Sequence, residues 1–188
     1  MQKIIFIIIL LLTFQTTVFA DYIIPNTTPI YNQGKAPTCV AYAIKEVIEM
    51  QTGQKINYKN IYKYHEPNGG MHIDITLDKL GLEYSILSDT KAIRQAITEN
   101  YGVLINIQMD KSIYKLSRKG ILDKSNRPTN NYHCMVIIGF TDTHWIVQNS
   151  WGKYWGCSGL CYIPFDYSLI NRYYIIKGGD LTESILRK

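Results

Sequence analysis

Apolar residues recur at helical spacing near the start of the chain, at Val40, Ile44, Val47 and Ile48. Positions three and four apart lie on one face of an α-helix, so these side chains form a core-facing stripe. Gly53 follows the stripe and is a typical C-terminal cap, because glycine readily adopts the left-handed conformation that ends many helices. The pattern therefore predicts a buried helix that ends at Gly53.

The first residue of this helix is expected to be Cys39. Gly34 and Pro37 predict a turn before it, and the Thr38 side chain is expected to cap the first N–H groups. A helix start favours an anion, so a thiol there tends to ionise to the nucleophilic thiolate. An isolated cysteine is otherwise a small buried hydrophobe, and a nucleophile needs a partner base.

The remaining pattern places helices in the first half of the chain and strands in the second. An extended arm with two prolines occupies residues 21–32, and short helices are predicted at residues 57–64, 75–81 and 92–99. Segments rich in β-branched residues follow at 103–108, 135–140 and 145–148. This order indicates an α+β fold, and 188 residues suit one domain or two small lobes.

Residues 1–20 have the pattern of a secretory signal peptide. Lys3 precedes the unbroken apolar run Ile4–Leu12, and small residues near Ala20 offer a cleavage site before Asp21. The run is shorter than the ~20 apolar residues that a membrane-spanning helix needs, which disfavours an uncleaved anchor. We therefore expect an exported mature chain in an extracellular, periplasmic or lysosome-like compartment, with only transient membrane contact through the signal peptide.

Charge and cysteine content exclude two classes of function. The 20 basic and 15 acidic residues give a formal net charge of +5 without basic runs, so nucleic-acid binding is not expected. Cys157 and Cys161 flank a three-residue turn-like spacer, and a local disulfide between them is a possibility that export permits. A zinc site is the competing use, but a single cysteine pair without a second ligand pair gives no metal site.

His133 is the best candidate base for Cys39. Residues 135–140 and 145–148 are expected to form a hairpin that turns near Thr141, which places His133 opposite Asn149. Cross-strand partners lie ~5 Å apart, so the Asn149 amide could hold one ring nitrogen and leave the other facing the thiol. His144 lies near the turn, ~16 Å from Asn149 at strand rise. A satisfied polar role on a strand is the alternative for His133.

These residues, in this order, resemble the papain/cathepsin cysteine proteases. The matching elements are Gln33-x5-Cys39, His133 before an apolar strand, Asn149-Ser150-Trp151-Gly152 and the following Trp155-Gly156. The resemblance covers essentially the whole chain after residue 20. It implies a papain-like two-lobe fold, with a helical lobe at about 33–100 that carries the Cys39 helix. The other lobe, about 101–178 with the arm 21–32, is expected to be an antiparallel, β-barrel-like lobe that carries histidine and asparagine.

The resemblance also assigns roles to the catalytic candidates. Cys39 would be the nucleophile, His133 its base and acid, and Asn149 the residue that orients the imidazolium. The Gln33 amide would donate to the oxyanion, and Trp151 would shield the Asn149–His133 hydrogen bond from water. The physical chemistry agrees, because acyl transfer needs hydrogen-bond donors where negative charge develops.

Substrate binding is assigned in the same way. Gly69 and Gly70 resemble the family's glycine loop and would pair with an extended peptide as an added strand. Met71, His72 and Cys134 would wall a pocket that favours an apolar side chain two positions before the cleaved bond. The expected partners are a polypeptide substrate and a proteinaceous inhibitor, with the protein a monomer and no cofactor or metal.

The chain departs from the family pattern at three places. Val40 stands where the family usually has tryptophan, and Ala36 stands where it has a cysteine, so the family's disulfides are not expected. Only residues 21–32 separate the signal peptide from Gln33, so we expect no long pro-segment and activity without proteolytic trimming. The function predicted is a secreted cysteine peptidase acting through a thiolate–imidazolium pair and a thioester acyl-enzyme. The alternatives are an amidase or transpeptidase with the same site, and a catalytically silent peptide-binding module.

Overall fold

The computed structural model describes residues 21–123, 128–178 and 185. The α-helices in these ranges are α1 (Cys39–Thr52), α2 (Lys59–Tyr62), α3 (Ile73–Lys79) and α4 (Thr90–Thr98). A 3₁₀ helix lies at Lys111–Lys115. The strands are β1 (Tyr22–Ile23), β2 (Glu83–Leu87), β3 (Val103–Asp110), β4 (Pro128–Phe140), β5 (His144–Gln148), β6 (Leu160–Pro164) and β7 (Ile170–Gly178).

The strands form one antiparallel sheet in the order β2-β7-β3-β4-β5-β6, with β1 paired to the far end of β4. Helices and an antiparallel sheet together confirm the predicted α+β fold. Strand β4 is buried from His133 to Phe140, and because successive side chains of a strand point to opposite sides, both of its faces are covered there. This accounts for its nearly unbroken apolar run from Cys134 to Phe140.

Each face of the sheet supports its own hydrophobic core. Cys134, Val136 and Ile138 belong to the core that contains the stripe of α1. Met135 and Ile137 belong to the opposite core, which contains residues of α4. Helices α1 to α3 therefore cover one face and α4 the other, and the boundary of the predicted lobes near residue 100 stays a prediction.

The helix that begins at Cys39 forms nearly as predicted. Gly53 has a φ of 69° and donates its N–H to the Glu49 carbonyl, so it is the expected left-handed cap. The predicted cap by Thr38 is wrong: its side chain makes no capping hydrogen bond, and its hydroxyl contacts the Ala36 carbonyl at 3.5 Å. The Thr38 hydroxyl therefore interacts with the preceding turn instead of the helix N–H groups, a local alternative that Ser and Thr side chains often adopt.

The suggested bridge between Cys157 and Cys161 is also wrong, because both are free thiols. Cys157 lies in a tight turn whose backbone pairs with Leu160. Cys161 is the next residue along β6, and its side chain is fully buried in the core opposite α1. Neighbouring side chains on a strand point to opposite faces, which directs Cys161 away from the turn that holds Cys157.

The amino-terminal arm ties the end of β4 to the start of the candidate site. Tyr22 pairs with Phe140, and an added Cβ at Gly139 would lie 2.3 Å from the Tyr22 carbonyl oxygen. Further along the arm, Asn32 bridges to Trp151. The predicted signal peptide at residues 1–20 lies outside the described residues. Across the described ranges, none of the helices has the length and apolar content needed to cross a membrane.

Candidate active site

Cys39 lies at the first position of α1, partly buried, where the chain leaves the turn that follows Gly34. It lines a cleft of about 460 Å³. This main cleft is lined, among others, by Cys39, Met71, His133, Cys134, Arg172 and Tyr174. A second cleft on the other side of Cys39 is lined, among others, by Gln33, Cys39, Tyr114, His133 and Trp151. Cys39 and His133 are thus shared by both clefts.

His133 and Asn149 are in contact, as predicted, but through a different strand register. His133 Nε2 lies 2.8 Å from Asn149 Oδ1, and both residues are buried. Val136 pairs with Gln148, so the register places Asn149 level with Met135 rather than with His133. The contact is therefore a diagonal one between residues on the same face, which side chains can span. The bond uses Nε2 and leaves Nδ1 for a second partner.

Burial opposes the charging of Cys39 or His133 alone. It raises the pKa of the Cys39 thiol, while backbone N–H groups of Cys134 and Val40 act in the opposite direction. It lowers the pKa of His133 to about 4, with the Asn149 hydrogen bond acting to raise it. A proton transfer from Cys39 to His133 charges both groups together, and their mutual attraction opposes both costs of burial.

An aromatic layer covers the histidine. Trp151 lies 4.7 Å from His133 between ring centroids, at 33°, and Trp155 meets Trp151 edge-on at 5.5 Å. Trp155 donates its indole N–H to the Ile113 carbonyl. Tyr114 stacks on the outside of Trp151 at 5.5 Å and 10°. Tyr114 could not be recognised from the sequence, because it stands in a short 3₁₀ helix with no pattern of its own.

Gln33 is held beside Cys39 by Ser150. The Gln33 N–H donates to the Ser150 carbonyl at 2.7 Å, and the Ser150 hydroxyl donates to Gln33 Oε1 at 2.7 Å. Gln33 Nε2 donates one hydrogen to the Ala36 carbonyl at 2.9 Å. A carboxamide nitrogen has two hydrogens, so one stays free for a ligand. Ser150 was missed as a positioning residue, although it stands beside Asn149 in the sequence.

The predicted substrate-binding residues divide between the clefts and the glycine loop. Met71 and Cys134 line the main cleft, and Trp151 lines the second. Gly69 and Gly70 line neither of these two clefts, and their N–H groups donate within the loop, to Glu66 and to Asn68 Oδ1. Pairing of Gly70 with a peptide therefore requires the Asn68 side chain to give up this contact.

The far wall of the main cleft carries charge that the sequence analysis missed. Arg172 of β7 and Asp74 of α3 approach to 3.5 Å, and both side chains are partly exposed. Hydrogen bonding to Tyr174 raises the pKa of Arg172. Strand β7 was not predicted, so nothing in the sequence indicated that Arg172 would face Cys39 across a cleft.

The other histidines take no part in the His133–Asn149 contact. His144 contacts the Thr143 hydroxyl at the hairpin turn, and His65 stacks on Tyr62. His72 lines the main cleft near Met71. In the part of the chain that the structure describes, no three His, Cys, Asp or Glu side chains are grouped as a metal site would require.

Comparison with known proteins identifies the family. The family model for papain family cysteine proteases matches residues 32–175. Mouse cathepsin K is 21% identical over 179 residues, covering 70% of this chain and 54% of its own length. A putative cathepsin L 3 of Paramecium tetraurelia is 25% identical over 123 residues, covering 63% of this chain and 37% of its own. The chain thus spans about half or less of the length of these relatives.

Solved structures share the fold. A Carica candamarcensis cysteine protease, solved in complex with E-64, superposes with a TM-score of 0.67 at 16% identity, covering 82% of this chain and 95% of its own. A structure from a study of the mite allergens Blo t 1 and Der p 1 gives a TM-score of 0.70 at 17% identity, covering 89% and 74%. These similarities confirm the papain-like fold that the motifs implied.

Proposed function

The chain belongs to the papain family of cysteine proteases, and on that premise we propose that it hydrolyses peptide bonds with Cys39 as the nucleophile. One observation carries the proposal. Cys39 begins a helix and shares two clefts with His133, whose ring Asn149 holds by Nε2 at 2.8 Å. A nucleophile, a base and a residue that orients the base are the parts that covalent acyl transfer requires.

In the proposed reaction the Cys39 sulfur attacks the substrate carbonyl. The free N–H of the Gln33 amide and the backbone N–H of Cys39 stabilise the oxyanion, each contributing ~10²–10³ in rate. His133 then donates its proton to the leaving amine, and a thioester remains on Cys39. Water attacks the thioester while His133 accepts its proton, which releases the acid and leaves Cys39 as a thiolate beside the imidazolium.

We propose that the resting pair is charged, with Cys39 as thiolate and His133 as imidazolium. The helix start and the backbone N–H groups of Val40 and Cys134 favour the thiolate, and Asn149 favours the imidazolium. Burial opposes both charges, so the attraction within the pair decides the outcome. In the alternative neutral pair, His133 removes the Cys39 proton only during attack.

For the substrate, we propose an extended peptide that lies along the glycine loop once Asn68 releases the Gly70 N–H. Met71, His72 and Cys134, which are mostly apolar or small, wall the main cleft, and this favours an apolar side chain two positions before the cleaved bond. A peptide-library cleavage profile tests this preference. Selection of Asp or Arg at that position would contradict it and would assign the recognition to Arg172 or Asp74 instead.

The finer parts of the function are also proposals. Secretion into an extracytoplasmic compartment, a monomeric state, inhibition by a protein and activity without trimming are each expected from the sequence. Expression of the full chain, with mass analysis of the secreted product and its activity as purified, tests cleavage before Asp21 and the need for trimming together.

Turnover of a fluorogenic peptide amide tests the central proposal. The wild-type protein should release the fluorophore, and Cys39→Ser should not, with its fold verified by circular dichroism. Addition of an amine nucleophile separates the second candidate, because a transpeptidase would form the amine adduct in place of the free acid. Peptide binding without turnover by the wild-type protein would instead indicate the silent binding module and overturn the proposal.

A further inference from the structure

A second cysteine stands beside the candidate nucleophile. Cys134 follows His133 on β4 and is only 2% exposed, yet it lines the main cleft together with Cys39. Its backbone N–H acts as a hydrogen-bond donor to the Cys39 thiol, and Cys39 packs against the core cluster that includes Cys134. The two cysteines therefore lie at the interface of α1 and β4 and open into the same cleft.

We propose that Cys39 and Cys134 form an oxidation site, in which a hydroperoxide oxidises Cys39 and Cys134 captures the product as a disulfide. The site goes beyond the proposed peptidase function, because its chemistry needs no peptide substrate. It gives the catalytic thiol a reversible, inactive state.

The reaction balances in two steps. The Cys39 sulfur attacks one oxygen of the hydroperoxide ROOH, the O–O bond breaks, and the alcohol ROH leaves with a proton, giving a sulfenic acid. The Cys134 sulfur then attacks the Cys39 sulfur, and the S–O bond breaks. The hydroxyl group leaves with the Cys134 proton as water. Two thiols are oxidised by two electrons, and the peroxide is reduced to the alcohol and water.

The surroundings of Cys39 suit the first step of this reaction, and those of Cys134 suit the second. Cys39 is partly exposed at the meeting of two clefts, so a small peroxide can reach it. Cys134 is enclosed, and burial, with the nearby Cys39 and Glu46, raises the pKa of its thiol well above the ordinary value. A protonated, enclosed thiol reacts poorly with peroxide in solution, so Cys134 is suited to act only after Cys39.

Neither of the other cysteines can replace Cys134. Cys161 lies in the core on the opposite face of the sheet from α1. Cys157 lies in the turn before β6, beside Arg118 and Tyr154, and does not line the main cleft. Neither residue lines either of the two clefts that Cys39 lines.

Peptide mapping of the peroxide-treated wild-type protein tests the proposal directly. Stepwise hydrogen peroxide, followed by alkylation of free thiols and digestion without reductant, should give a cross-linked pair of the peptides that contain Cys39 and Cys134. This readout does not depend on peptidase activity, so it can fail or succeed apart from the proposed function. A persistent sulfenic acid on Cys39 that reacts with dimedone would overturn the proposal, as would a cross-link between two molecules.

Two variants sharpen the test. In Cys134→Ser the sulfenic acid cannot be captured, so excess peroxide should convert Cys39 to sulfinic acid, which thiols do not reduce. Activity relative to the variant's own starting value should then be lost for good, whereas dithiothreitol should restore the wild type. Cys157→Ala is the matched control and should behave as the wild type. Equal recovery of Cys134→Ser and the wild type contradicts the proposal.

Discussion

Gln33 depends on Ser150 for its position. Ser150 holds Gln33 from two directions, through its carbonyl and its hydroxyl, both at 2.7 Å. The backbone contact survives any substitution at 150, whereas the hydroxyl contact fixes which end of the carboxamide faces Cys39. Ser150 is therefore a positioning residue rather than a catalytic one.

Removal of this hydroxyl should lower kcat while leaving KM nearly unchanged. Gln33→Ala removes the proposed oxyanion donor and should reduce kcat by ~10²–10³. Ser150→Ala only frees the carboxamide to rotate, so its loss should be smaller, and Ser150→Thr should recover part of it. Steady-state kinetics on a peptide amide check the order of the three variants. An effect of Ser150→Ala on KM alone would contradict the positioning role.

The charge state of Cys39 has its own test. If the resting pair is charged, iodoacetamide at about pH 5.5 should label Cys39 well before Cys157, a partly buried thiol outside the active site. His133→Ala should slow that labelling and abolish hydrolysis. Asn149→Ala should slow hydrolysis less, because Asn149 orients the base without transferring a proton. Labelling rates come from peptide mass mapping at several pH values.

The opposite result is equally informative. Labelling of Cys39 no faster than Cys157 at that pH would show a neutral resting pair and confirm that burial outweighs the attraction within it. The acidic limb of the profile of kcat/KM against pH would then report deprotonation of the base His133 rather than thiolate formation.

At the scale of elements, the glycine loop packs against the turn that leads into α1. Gly69 has a φ of 84°, and a Cβ added there would lie 3.1 Å from Pro37 Cγ. Pro37 lies two residues before Cys39, so the residue that packs against the glycine loop also belongs to the turn that positions Cys39. Gly34 has a similar φ of 67° but open space around it.

This difference predicts unequal costs for two alanine substitutions. Gly34→Ala pays only for the left-handed backbone, about 1 kcal/mol. Gly69→Ala adds a steric contact and should lower the free energy of unfolding further, by about 1–3 kcal/mol in total. It should also reduce kcat/KM, because Pro37 must shift. Urea unfolding of both variants measures the difference, and equal losses would show that the loop yields freely.

Local patterns in the sequence were enough to predict α1, the hairpin of β4 and β5, and the His133–Asn149 contact. The stripe and Gly53 are local signals, and the hairpin has a short turn. Strand β7 could not be predicted in this way, because it pairs with β2 and β3, far away in the sequence. The exact register was also missed, because Phe140 pairs with Trp145, which centres the turn between Asp142 and Thr143 rather than at Thr141.

At the scale of the whole molecule, α1 carries two buried carboxyl groups whose pKa values are shifted in opposite directions. Burial raises the pKa of Glu46 to about 8, against the effects of Gln148 and Lys45, and Oε1 of Glu46 has no hydrogen-bond partner among the residues that the structure describes. Burial also acts to raise the pKa of Glu49, but hydrogen bonds from Lys45, Tyr31 and the Ile56 N–H lower it overall. In the folded protein Glu46 thus favours its protonated form, and Glu49 favours its charged form.

Glu46 should make the fold less stable as pH rises. The unfolded chain releases this proton near the ordinary glutamate pKa of 4.5, whereas the fold keeps it to about 8. The contribution of Glu46 to the free energy of unfolding is therefore fully present below pH ~4.5 and declines until pH ~8. Glu46→Gln, which carries no charge, should exceed the wild type in stability at pH 8 by on the order of 3–5 kcal/mol and match it near pH 5.

Glu49→Gln supplies the control for that measurement. The pKa of Glu49 is depressed in the fold, so its contribution is present above the unfolded pKa and is lost as pH falls. The cost of Glu49→Gln should consequently grow from acid to neutral pH, opposite to Glu46→Gln. Denaturant unfolding at several pH values checks both slopes. Parallel slopes for the two variants would contradict the assignment.

The raised pKa of Glu46 also affects how long the protein survives its own proposed peptidase activity. A peptidase digests the opened molecules of its own kind, and the fraction of open molecules follows the free energy of unfolding. In an acidic compartment Glu46 would stay protonated, so the protein would stay folded and resist digestion by other copies of itself. At neutral pH the protein would unfold more often. Folded molecules would then digest the unfolded ones, and the amount of protein would fall without any inhibitor. Glu46→Gln should therefore outlast the wild type at pH 7.5, and the gap should close at pH 5.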